Sequence, residues 1–314
     1  MRYAASYYQN STQLAFLSLV FVWPRLATDS VRDGRESRVL HRLPLFTQTF
    51  LISKIMELQI IPNRLLDSYL MEVPKGMQRA FDALQDAELS TPNFSFYTSV
   101  ASVFSSKIEG EAIELDSYIK HKRDGIPFQP DYTKKIDDLY GSYVFAQNNR
   151  LTESNVKEVH KLLSRHIVAK GWQGKYRHQN MYVTTDDGRI AYVAAIPQIV
   201  ESEMSKFFKD IDMLLHVSMS IEEVFYYASL IHLVFVKIHP WNDGNGRSAR
   251  LIEKWFIAEK LGEKAWYIQS EKMYYQAHQT YYENIRAIGL EYDELDYSKS
   301  LPFTLMLPKT IIKE

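Results

Sequence analysis

Apolar residues recur at intervals of three and four along most of the chain after residue 56, which is the spacing of one face of an α-helix. The run Ile221–Ile238 is apolar almost all round, and this predicts a helix buried at the centre of a bundle. Ser220 and Glu223 form a capping box at its start. A second core helix is expected over residues 248–261.

Other helices are predicted on either side of this pair. Thr91 is the expected N-cap of a helix over about residues 93–107, with Pro92 in its first turn and Gly110 as the helix breaker behind it. After residue 290 the pattern fades into an irregular end. The remaining predicted helices lie near residues 65–70, near 77–84, at 115–147 with an interruption at 125–127, at 154–166, from 197 onward and at 271–288.

The periodicity changes to two in a single stretch, residues 181–193, where apolar and polar residues alternate as they do along a β-strand. Asp187-Gly188 in its middle is a preferred hairpin turn. These patterns together predict a mainly α fold class, a helical bundle with a single β-hairpin.

The chain divides into four segments. The first, residues 1–55, lacks helical periodicity and contains an apolar run at 14–23 that is too short to span a membrane. We interpret this segment as an extension outside the core, poorly ordered or upstream of a true start at Met56, rather than as a secretory signal. The other segments are an N-terminal helical region at 56–125, the core at 126–290 and a tail at 291–314.

Composition narrows the expected partners and location. The 314 residues carry a net charge of −1, so no overall field favours nucleic acid or a membrane, and neither is an expected partner. The chain has no cysteine, which excludes disulfides and thiolate metal sites. Because this fits a reducing compartment, the cytoplasm is the expected location.

One short stretch concentrates the chemistry, and it reads His239-Pro-Trp-Asn-Asp-Gly-Asn-Gly-Arg-Ser-Ala-Arg250. Gly244 and Gly246 let the backbone approach a ligand, and their N–H groups lead into a helix N-terminus, where an anion is favoured. Arg247 and Arg250 lie on the first turn of that helix, and each can bind a phosphate through two hydrogen bonds. The stretch therefore predicts a phosphate site.

Two further groups in this stretch suit phosphate chemistry. A carboxylate among phosphate-binding residues is best explained as a ligand of Mg²⁺, which assigns that metal to Asp243. His239 is then free to act as a base near neutral pH. Pro240 disfavours α geometry at His239, so the preceding helix is expected to end there.

The stretch resembles the signature of the Fic family, His-Pro-Phe-x-Asp/Glu-Gly-Asn-Gly-Arg-x-x-Arg, with Trp241 at the phenylalanine position. Residues 174–177 and the hairpin after them look like the flap of that family. The resemblance covers about residues 90–290 and implies a Fic-type helical bundle. It also implies an enzyme that uses Mg²⁺ and transfers AMP from ATP to a hydroxyl side chain of a target protein, with self-modification included.

The resemblance assigns roles by position in the signature. His239 would deprotonate the target hydroxyl, and Asp243 would hold the Mg²⁺ between the α- and β-phosphates. Arg247 would bind the β-phosphate and Arg250 the γ-phosphate. Transfer of this kind needs positioning and charge neutralisation more than covalent help from the protein.

Contacts with the rest of ATP and with the target are assigned in the same way. Gly244, Asn245 and Gly246 would form the anion hole, with Asn245 at the α-phosphate. Tyr274 and Tyr275 resemble a segment near the adenine, although tyrosines that pack a helix on the core look the same. The flap residues that would align the target by backbone pairing are Tyr182, Val183 and Thr184.

A second motif precedes the signature. Ser105-x-x-x-Glu109-Gly110 resembles the inhibitory motif of the family, Ser/Thr-x-x-x-Glu-Gly/Asn, on a helix at about 93–109. The resemblance implies autoinhibition, in which Glu109 pairs with Arg250 and occupies the place of the γ-phosphate. It leaves open whether Glu109 also orients water for removal of AMP from the target.

Three other functions compete with this interpretation. The chain could bind ATP as a regulatory protein without transferring AMP, although an intact His239 argues against this. A metal hydrolase built on His239 and Asp243 has too few ligands nearby. A transcription regulator has no support from charge. The target protein is not identified by the sequence, and a homodimer is left open.

Overall fold

A computed structural model of the chain describes residues 57–128, 130–185 and 188–312. Within these ranges the fold is mainly α, with twelve α-helices and one two-stranded antiparallel sheet. The elements are α1 (Leu66–Glu72), α2 (Met77–Asp82), α3 (Phe96–Ile108), α4 (Leu115–Asp124), α5 (Pro130–Gln147), α6 (Glu153–Leu163), β1 (Tyr182–Thr184), β2 (Ile190–Val193), α7 (Pro197–His216), α8 (Ile221–Ile238), α9 (Asn245–Leu261), α10 (Ser270–Gln276), α11 (His278–Ala287) and α12 (Leu301–Thr304).

The centre of the bundle is α8, as the sequence predicts. The hydroxyl of Ser220 accepts from the backbone N–H of Glu223 at 3.2 Å, and the Glu223 carboxylate accepts from the N–H of Ser220 at 2.7 Å. These two bonds satisfy donors that a helix N-terminus otherwise leaves unpaired. Almost every residue of α8 is buried, and the helix packs most extensively on α9, with α1, α7 and α12 around it.

Helix α3 begins later than the sequence predicts. Thr91, the expected N-cap, instead exchanges two backbone hydrogen bonds with Phe94, and this closes a tight turn before the helix. The N-cap is Ser95, whose hydroxyl accepts from the N–H of Thr98 at 3.2 Å. The other end is as expected, because Gly110 follows it with a φ of 87°. The helix packs on α5, α9 and α10.

The C-terminal part differs from the prediction in two ways. The single helix expected at residues 271–288 is two helices, α10 and α11, separated at Ala277 with φ −102° and ψ 34°. The expected irregular end contains α12 and short 3-10 turns. Phe303 and Leu307 on these turns are fully buried, and α12 packs on α8. The helical turns in this end are too short to show a periodicity in the sequence.

The hairpin is present, with Tyr182 paired to Val193 and Thr184 to Ile190, and an irregularity lies between Val183 and Thr184. One residue of the expected turn, Asp187, lies outside the described residues. Strand β2 has a second neighbour, because the N–H of Val193 donates to the carbonyl of Leu290 at 2.8 Å. This leaves β1 as the outer strand of the hairpin.

Two expectations for the N-terminus cannot be followed into the structure, since the extension at 1–55 and its apolar run at 14–23 lie outside the described residues. No helix in the described part of the chain has both the length and the apolar character needed to cross a bilayer.

The first described residues are held by one buried carboxylate. Asp210 on α7 is fully buried and accepts from the backbone N–H groups of Gln59, Ile60 and Ile61, each at 2.8 Å. Charge-assisted hydrogen bonds of this kind are stronger than neutral ones. The segment before α1 is therefore fixed to the core by its backbone as well as by the buried side chain of Ile61.

We expect Asp210→Asn to lower the free energy of unfolding by about 2–3 kcal/mol. The neutral amide accepts weaker hydrogen bonds than a carboxylate, and its NH2 group would face backbone N–H groups, which are also donors. Chemical denaturation measures this loss. The matched control is Asp212→Asn, a largely exposed position on the same helix, which should cost little. Equal losses in the two variants would contradict the role of Asp210.

Candidate active site

The signature loop starts where α8 stops. His239 has φ 54° and ψ 60°, and it is the one residue other than glycine with positive φ in the described ranges. The sequence predicts the end of the helix at this point, and the residue is left-handed rather than extended. Such a conformation costs on the order of 1 kcal/mol for a side chain with a Cβ. Strained positions of this kind are common at functional sites.

Arg177 holds this strained helix end. Its Nε donates to the carbonyl of His239 at 2.6 Å, and its Nη2 donates to the carbonyl of Ile238 at 3.2 Å. The same side chain also donates to the carbonyls of Gln179 and Ala195, on either side of the hairpin. It is 1% exposed, and burial lowers its pKa to about 10. One guanidinium thus joins the hairpin to the loop.

The aromatic residue of the loop is fully buried, as expected for the exchange of phenylalanine for Trp241. Its ring stacks on His160, with centroids 4.2 Å apart, and on Tyr176, at 5.0 Å. Asn245 closes the loop around it, because its side-chain amide accepts from the N–H of Trp241 and donates to the carbonyl of Trp241, both at 2.9 Å. Asn245 therefore offers an anion its backbone N–H, while its side chain shapes the loop.

His160 supports the loop from α6. The backbone N–H of Gly174 donates to its Nδ1 at 2.8 Å, so the ring proton lies on Nε2, which donates to the carbonyl of Asp243 at 3.0 Å. Burial lowers the pKa of His160 to about 4. Both nitrogens of a neutral ring are therefore used to hold the backbone on two sides.

The anion site predicted from the loop falls at the N-terminus of α9. Gly244 is its N-cap with φ 83°, and a Cβ there would meet Leu163 at 2.9 Å. A Cβ on Gly246 would lie 2.5 Å from the Oε1 atom of Glu109. The glycines are therefore required by close approach, and the group that approaches Gly246 is a carboxylate.

Arg250 is 1% exposed and bound on three sides. Its Nη2 donates to Oε1 of Glu109 at 2.6 Å and to the carbonyl of Ser105 at 3.0 Å. Its Nε donates to the hydroxyl of Ser105 at 2.9 Å, and its Nη1 contacts the hydroxyl of Tyr281 at 3.4 Å. The structure thus brings the two predicted motifs together across about 140 residues of sequence.

Glu109 and Arg250 each stabilise the charged form of the other. Burial raises the pKa of Glu109, but Arg250 and then Arg247 outweigh it, and the net pKa is lowered. Burial lowers the pKa of Arg250, and the Glu109 carboxylate outweighs that effect, so the net pKa is raised. Both groups are therefore ionised at neutral pH.

Arg247 is also nearly buried, at 5% exposure, and its guanidinium lies 3.7 Å from the carboxylate of Glu111. Its other terminal nitrogen lies 4.0 Å from Oδ1 of Asp243. The Asp243 side chain is about half exposed and accepts from the N–H of Gly244 at 2.5 Å. The described residues hold no cluster of three or more side chains that could bind a metal. A cation at Asp243 would therefore need further oxygen ligands from a bound phosphate.

The imidazole of His239 is held from its Nδ1 side. That atom lies 3.2 Å from the carbonyl oxygen of Val236 and 3.3 Å from the hydroxyl of Tyr192 on β2. Burial lowers the pKa of His239 to about 4, so the ring is neutral at neutral pH. A neutral imidazole is the form that can accept a proton.

The residues predicted to contact the target and the adenine lie outside the loop, and they differ in exposure. Tyr182, Val183 and Thr184 form β1, and Tyr182 is 59% exposed. Tyr274, a candidate for the adenine side, is instead fully buried, and its hydroxyl donates to the carboxylate of Glu253 at 2.8 Å. This contact is the packing alternative given above, and a role of Tyr274 near the adenine stays a prediction. Tyr275 is partly exposed beside Phe104 on α3, and its role stays a prediction.

Three residues of the site were missed in the sequence. His160 falls on the apolar face of its predicted helix, between Val159 and Leu163, and a histidine there was the available signal. The sequence contained less signal for Arg177 and Tyr192, because each binds backbone carbonyls that are distant along the chain. Carbonyls are present at every position, so the sequence carries no mark of such a partner.

Comparisons with known proteins show similarity to the Fic/DOC family. The model of the Fic/DOC family matches residues 150–257. A curated protein adenylyltransferase Fic from Nematostella vectensis is 30% identical over 111 residues, which are 35% of this chain and 24% of that protein. The chain thus matches about a quarter of the length of that relative.

Two solved structures share the fold. A Fic family protein from Desulfovibrio desulfuricans has a TM-score of 0.62 and 17% identity, over 80% of this chain and 72% of that one. A signaling protein with a Fic domain from Bacteroides thetaiotaomicron has a TM-score of 0.56 and 16% identity, over 79% and 91% of the two chains. At these identities the likeness concerns the fold.

The buried neutral His160 generates a pH prediction. In the unfolded chain a histidine has a pKa of about 6.5, so as the pH falls the unfolded chain takes up this proton first. The contribution of His160 to stability is fully present above about pH 6.5 and is lost as the pH falls toward its folded pKa of about 4. Lowering the pH from about 7 to about 5 should cost about 2 kcal/mol through this residue.

His160→Phe keeps the stacking on Trp241 and removes the titration. The variant should therefore lose about 2 kcal/mol less than the wild type over this pH interval, measured by chemical denaturation at both pH values. His216→Phe makes the same change at a largely exposed position and should keep the wild-type pH dependence. If His160→Phe also kept it, the neutral state of His160 would be refuted.

Proposed function

We propose that this chain, a member of the Fic/DOC family through residues 150–257, is a protein adenylyltransferase that transfers AMP from ATP to a hydroxyl of a target protein. One observation carries the proposal. A neutral histidine, His239, stands at the mouth of a loop that leads into a helix N-terminus with two nearly buried arginines, Arg247 and Arg250. The adenylyltransferase from Nematostella vectensis is a relative of this region and supports the same chemistry.

The proposed step is a displacement at the α-phosphorus of ATP. The target hydroxyl oxygen forms a bond to this phosphorus, and the bond to the bridging oxygen of the β-phosphate breaks, so that pyrophosphate leaves. The hydroxyl proton passes to Nε2 of His239, the nitrogen opposite the one that contacts Val236. Backbone N–H groups of Gly244, Asn245 and Gly246 and the guanidinium of Arg247 balance the phosphate charge.

Asp243 fits a role as the one protein carboxylate for Mg²⁺. Its side chain is about half exposed at the start of the anion site, and Mg²⁺ is commonly bound through one or two carboxylates together with substrate phosphates. Bound there, the ion would neutralise charge on the α- and β-phosphates. Arg247, 4.0 Å from the same carboxylate, keeps a second positive charge beside it.

We propose that the segment from Ser105 to Gly110 inhibits this activity. The Glu109 carboxylate lies next to Gly246 at the N-terminus of α9 and accepts a hydrogen bond from the guanidinium of Arg250. The helix N-terminus and Arg250, which would bind a γ-phosphate, are thus both occupied by a protein anion. Its side chain is 23% exposed, which leaves it within reach of water. This exposure supports removal of AMP as a second activity, with Glu109 orienting the attacking water.

The target would dock on the outer edge of β1. The backbone of an edge strand offers alternating N–H and carbonyl groups to any extended segment, which gives register with little side-chain selection. Tyr182 and Thr184 are exposed on this strand, and Arg177 ties the ends of the hairpin to His239. A hydroxyl aligned on β1 would therefore be held in a constant position relative to the base.

The first experiment tests transfer itself. Glu109→Gly is incubated with ATP, Mg²⁺ and cell lysate, and intact-mass analysis is expected to show a gain of about 329 Da, one AMP, on a protein. His239→Ala in the same background should abolish the gain. The matched control is His216→Ala, a largely exposed histidine on α7, which should leave the gain unchanged.

Two results would contradict the transferase. ATP binding without any mass gain would favour a regulatory ATP-binding protein. A gain that persists in the variant without His239 would remove that residue from the chemistry.

The second experiment tests the inhibition. We expect Glu109→Gly to raise self-labelling from ATP labelled at the α-phosphate by about tenfold to a hundredfold, the effect of removing one charge-assisted bond of about 1.5–3 kcal/mol. Glu114→Gly is the matched control, because this glutamate lies shortly after that segment but is largely exposed and pairs with Lys107. Equal labelling by wild type and Glu109→Gly, with labelling present in both, would refute autoinhibition.

A further inference from the structure

The carbonyl of Val236 has lost its helical partner. In an α-helix it would accept from the N–H of residue 240, which here is Pro240 and has no N–H. Two other donors converge on it instead. The hydroxyl of Tyr192 donates to it at 3.1 Å, and Nδ1 of His239 lies 3.2 Å away. The neighbouring carbonyls of Ile238 and His239 are taken by Arg177.

This geometry allows one tautomer of His239. If Nδ1 were unprotonated, its lone pair would face the lone pairs of the Val236 carbonyl oxygen at 3.2 Å. The Tyr192 hydroxyl has one proton and could donate it to only one of these two acceptors. With the proton on Nδ1, the imidazole donates to the carbonyl and to the oxygen of Tyr192, which lies 3.3 Å away. Every donor then has an acceptor, and the lone pair lies on Nε2.

The ring of Tyr192 cannot readily leave this position. It is 5% exposed, and the ammonium of Lys237 lies over its face, 4.3 Å from the centroid. Lys237 is itself fixed by donating to the carbonyl of Gly289 at 3.0 Å. Next to Tyr192, the backbone of Val193 is bonded to Leu290. The hydroxyl is therefore held by packing on the ring and by pairing of the strand.

We propose that Tyr192 is a positioning residue that fixes the orientation of the His239 imidazole and so keeps Nε2 directed at the target hydroxyl. The Val236 carbonyl sets the tautomer, and the Tyr192 hydroxyl contacts both that carbonyl and Nδ1, on the side of the ring away from Nε2. Because Tyr192 belongs to β2 and the proposed docking edge is β1, the hairpin that would align the target also orients the base. The effect on catalysis rests on the proposed function, whereas the orientation of the imidazole does not.

The tautomer can be observed without any turnover. Proton–nitrogen correlation NMR of isotopically labelled histidine, at neutral pH, separates the two forms, and the His239 signals are assigned by their loss in His239→Ala. We expect Nδ1–H in the wild type and in Tyr192→Phe alike, because the Val236 carbonyl faces Nδ1 in both. The variant keeps the ring and removes the hydroxyl, so its His239 Nδ1 signals are expected to move because one hydrogen-bond partner is lost. The matched control is Tyr227→Phe on α8, a buried hydroxyl with no hydrogen-bond partner in the described part of the chain, and it should keep the wild-type spectrum.

Kinetics give the second measurement. In the Glu109→Gly background, Tyr192→Phe should lower kcat by about tenfold, the effect of one neutral hydrogen bond, and leave the KM for ATP unchanged. Tyr227→Phe should change neither constant. A parallel loss of kcat and of ATP affinity would indicate damage to the fold and would contradict a positioning role.

The outcomes separate the two proposals. A wild type with the proton on Nε2, or a Tyr192→Phe variant whose His239 signals do not move, overturns the role of Tyr192 whatever the activity. His239 signals that move as expected in a protein with no transfer activity leave Tyr192 in its role and remove the adenylyltransferase.

Discussion

A helix that ends at a proline leaves carbonyl groups without N–H partners, and the site is built around those at the end of α8. Pro240 removes the N–H that Val236 would use, and the left-handed His239 turns the chain away from the axis. The bare carbonyls are bound by side chains of the segment before and inside the hairpin, Arg177 and Tyr192. The hairpin, His239 and the loop are thus joined through hydrogen bonds to backbone carbonyls.

The second organising feature is competition for positive charge at the start of α9. The helix N-terminus and the two arginines attract an anion whatever its source. In this structure that anion is the Glu109 carboxylate, supplied from the end of α3, with Glu111 near Arg247. The features proposed to bind a nucleotide thus already bind a protein carboxylate, and on that proposal the nucleotide and Glu109 would compete for one site.

Much of this was predictable from local patterns. The buried helix α8, its capping box and the hairpin follow from periodicity and from residues within a few positions of each other. The pairing of Glu109 with Arg250 came from resemblance to a family, since no local rule joins such distant positions. The start of α3 was missed because Thr91 and Ser95 are both good N-caps, and the choice depends on the turn between them.

The remaining omissions have a common physical origin. His160, Arg177 and Tyr192 bind backbone groups, which look alike in any sequence. The contact of Tyr274 with Glu253 was also not predicted, because a buried glutamate is unusual in a core. Motifs reveal the groups that meet a substrate more readily than the groups that hold them in place.

Gly246 has a consequence for how this protein can change. A Cβ at this position would lie 2.5 Å from Oε1 of Glu109, so a larger residue would force that carboxylate to shift. Under the proposed function it would also fill the space of a bound phosphate at the same helix end. On that proposal, a mutation at Gly246 would weaken inhibition and activity together. A change at Ser105 or Glu109, on the far side of the contact, would release Arg250 without altering a residue proposed to bind ATP.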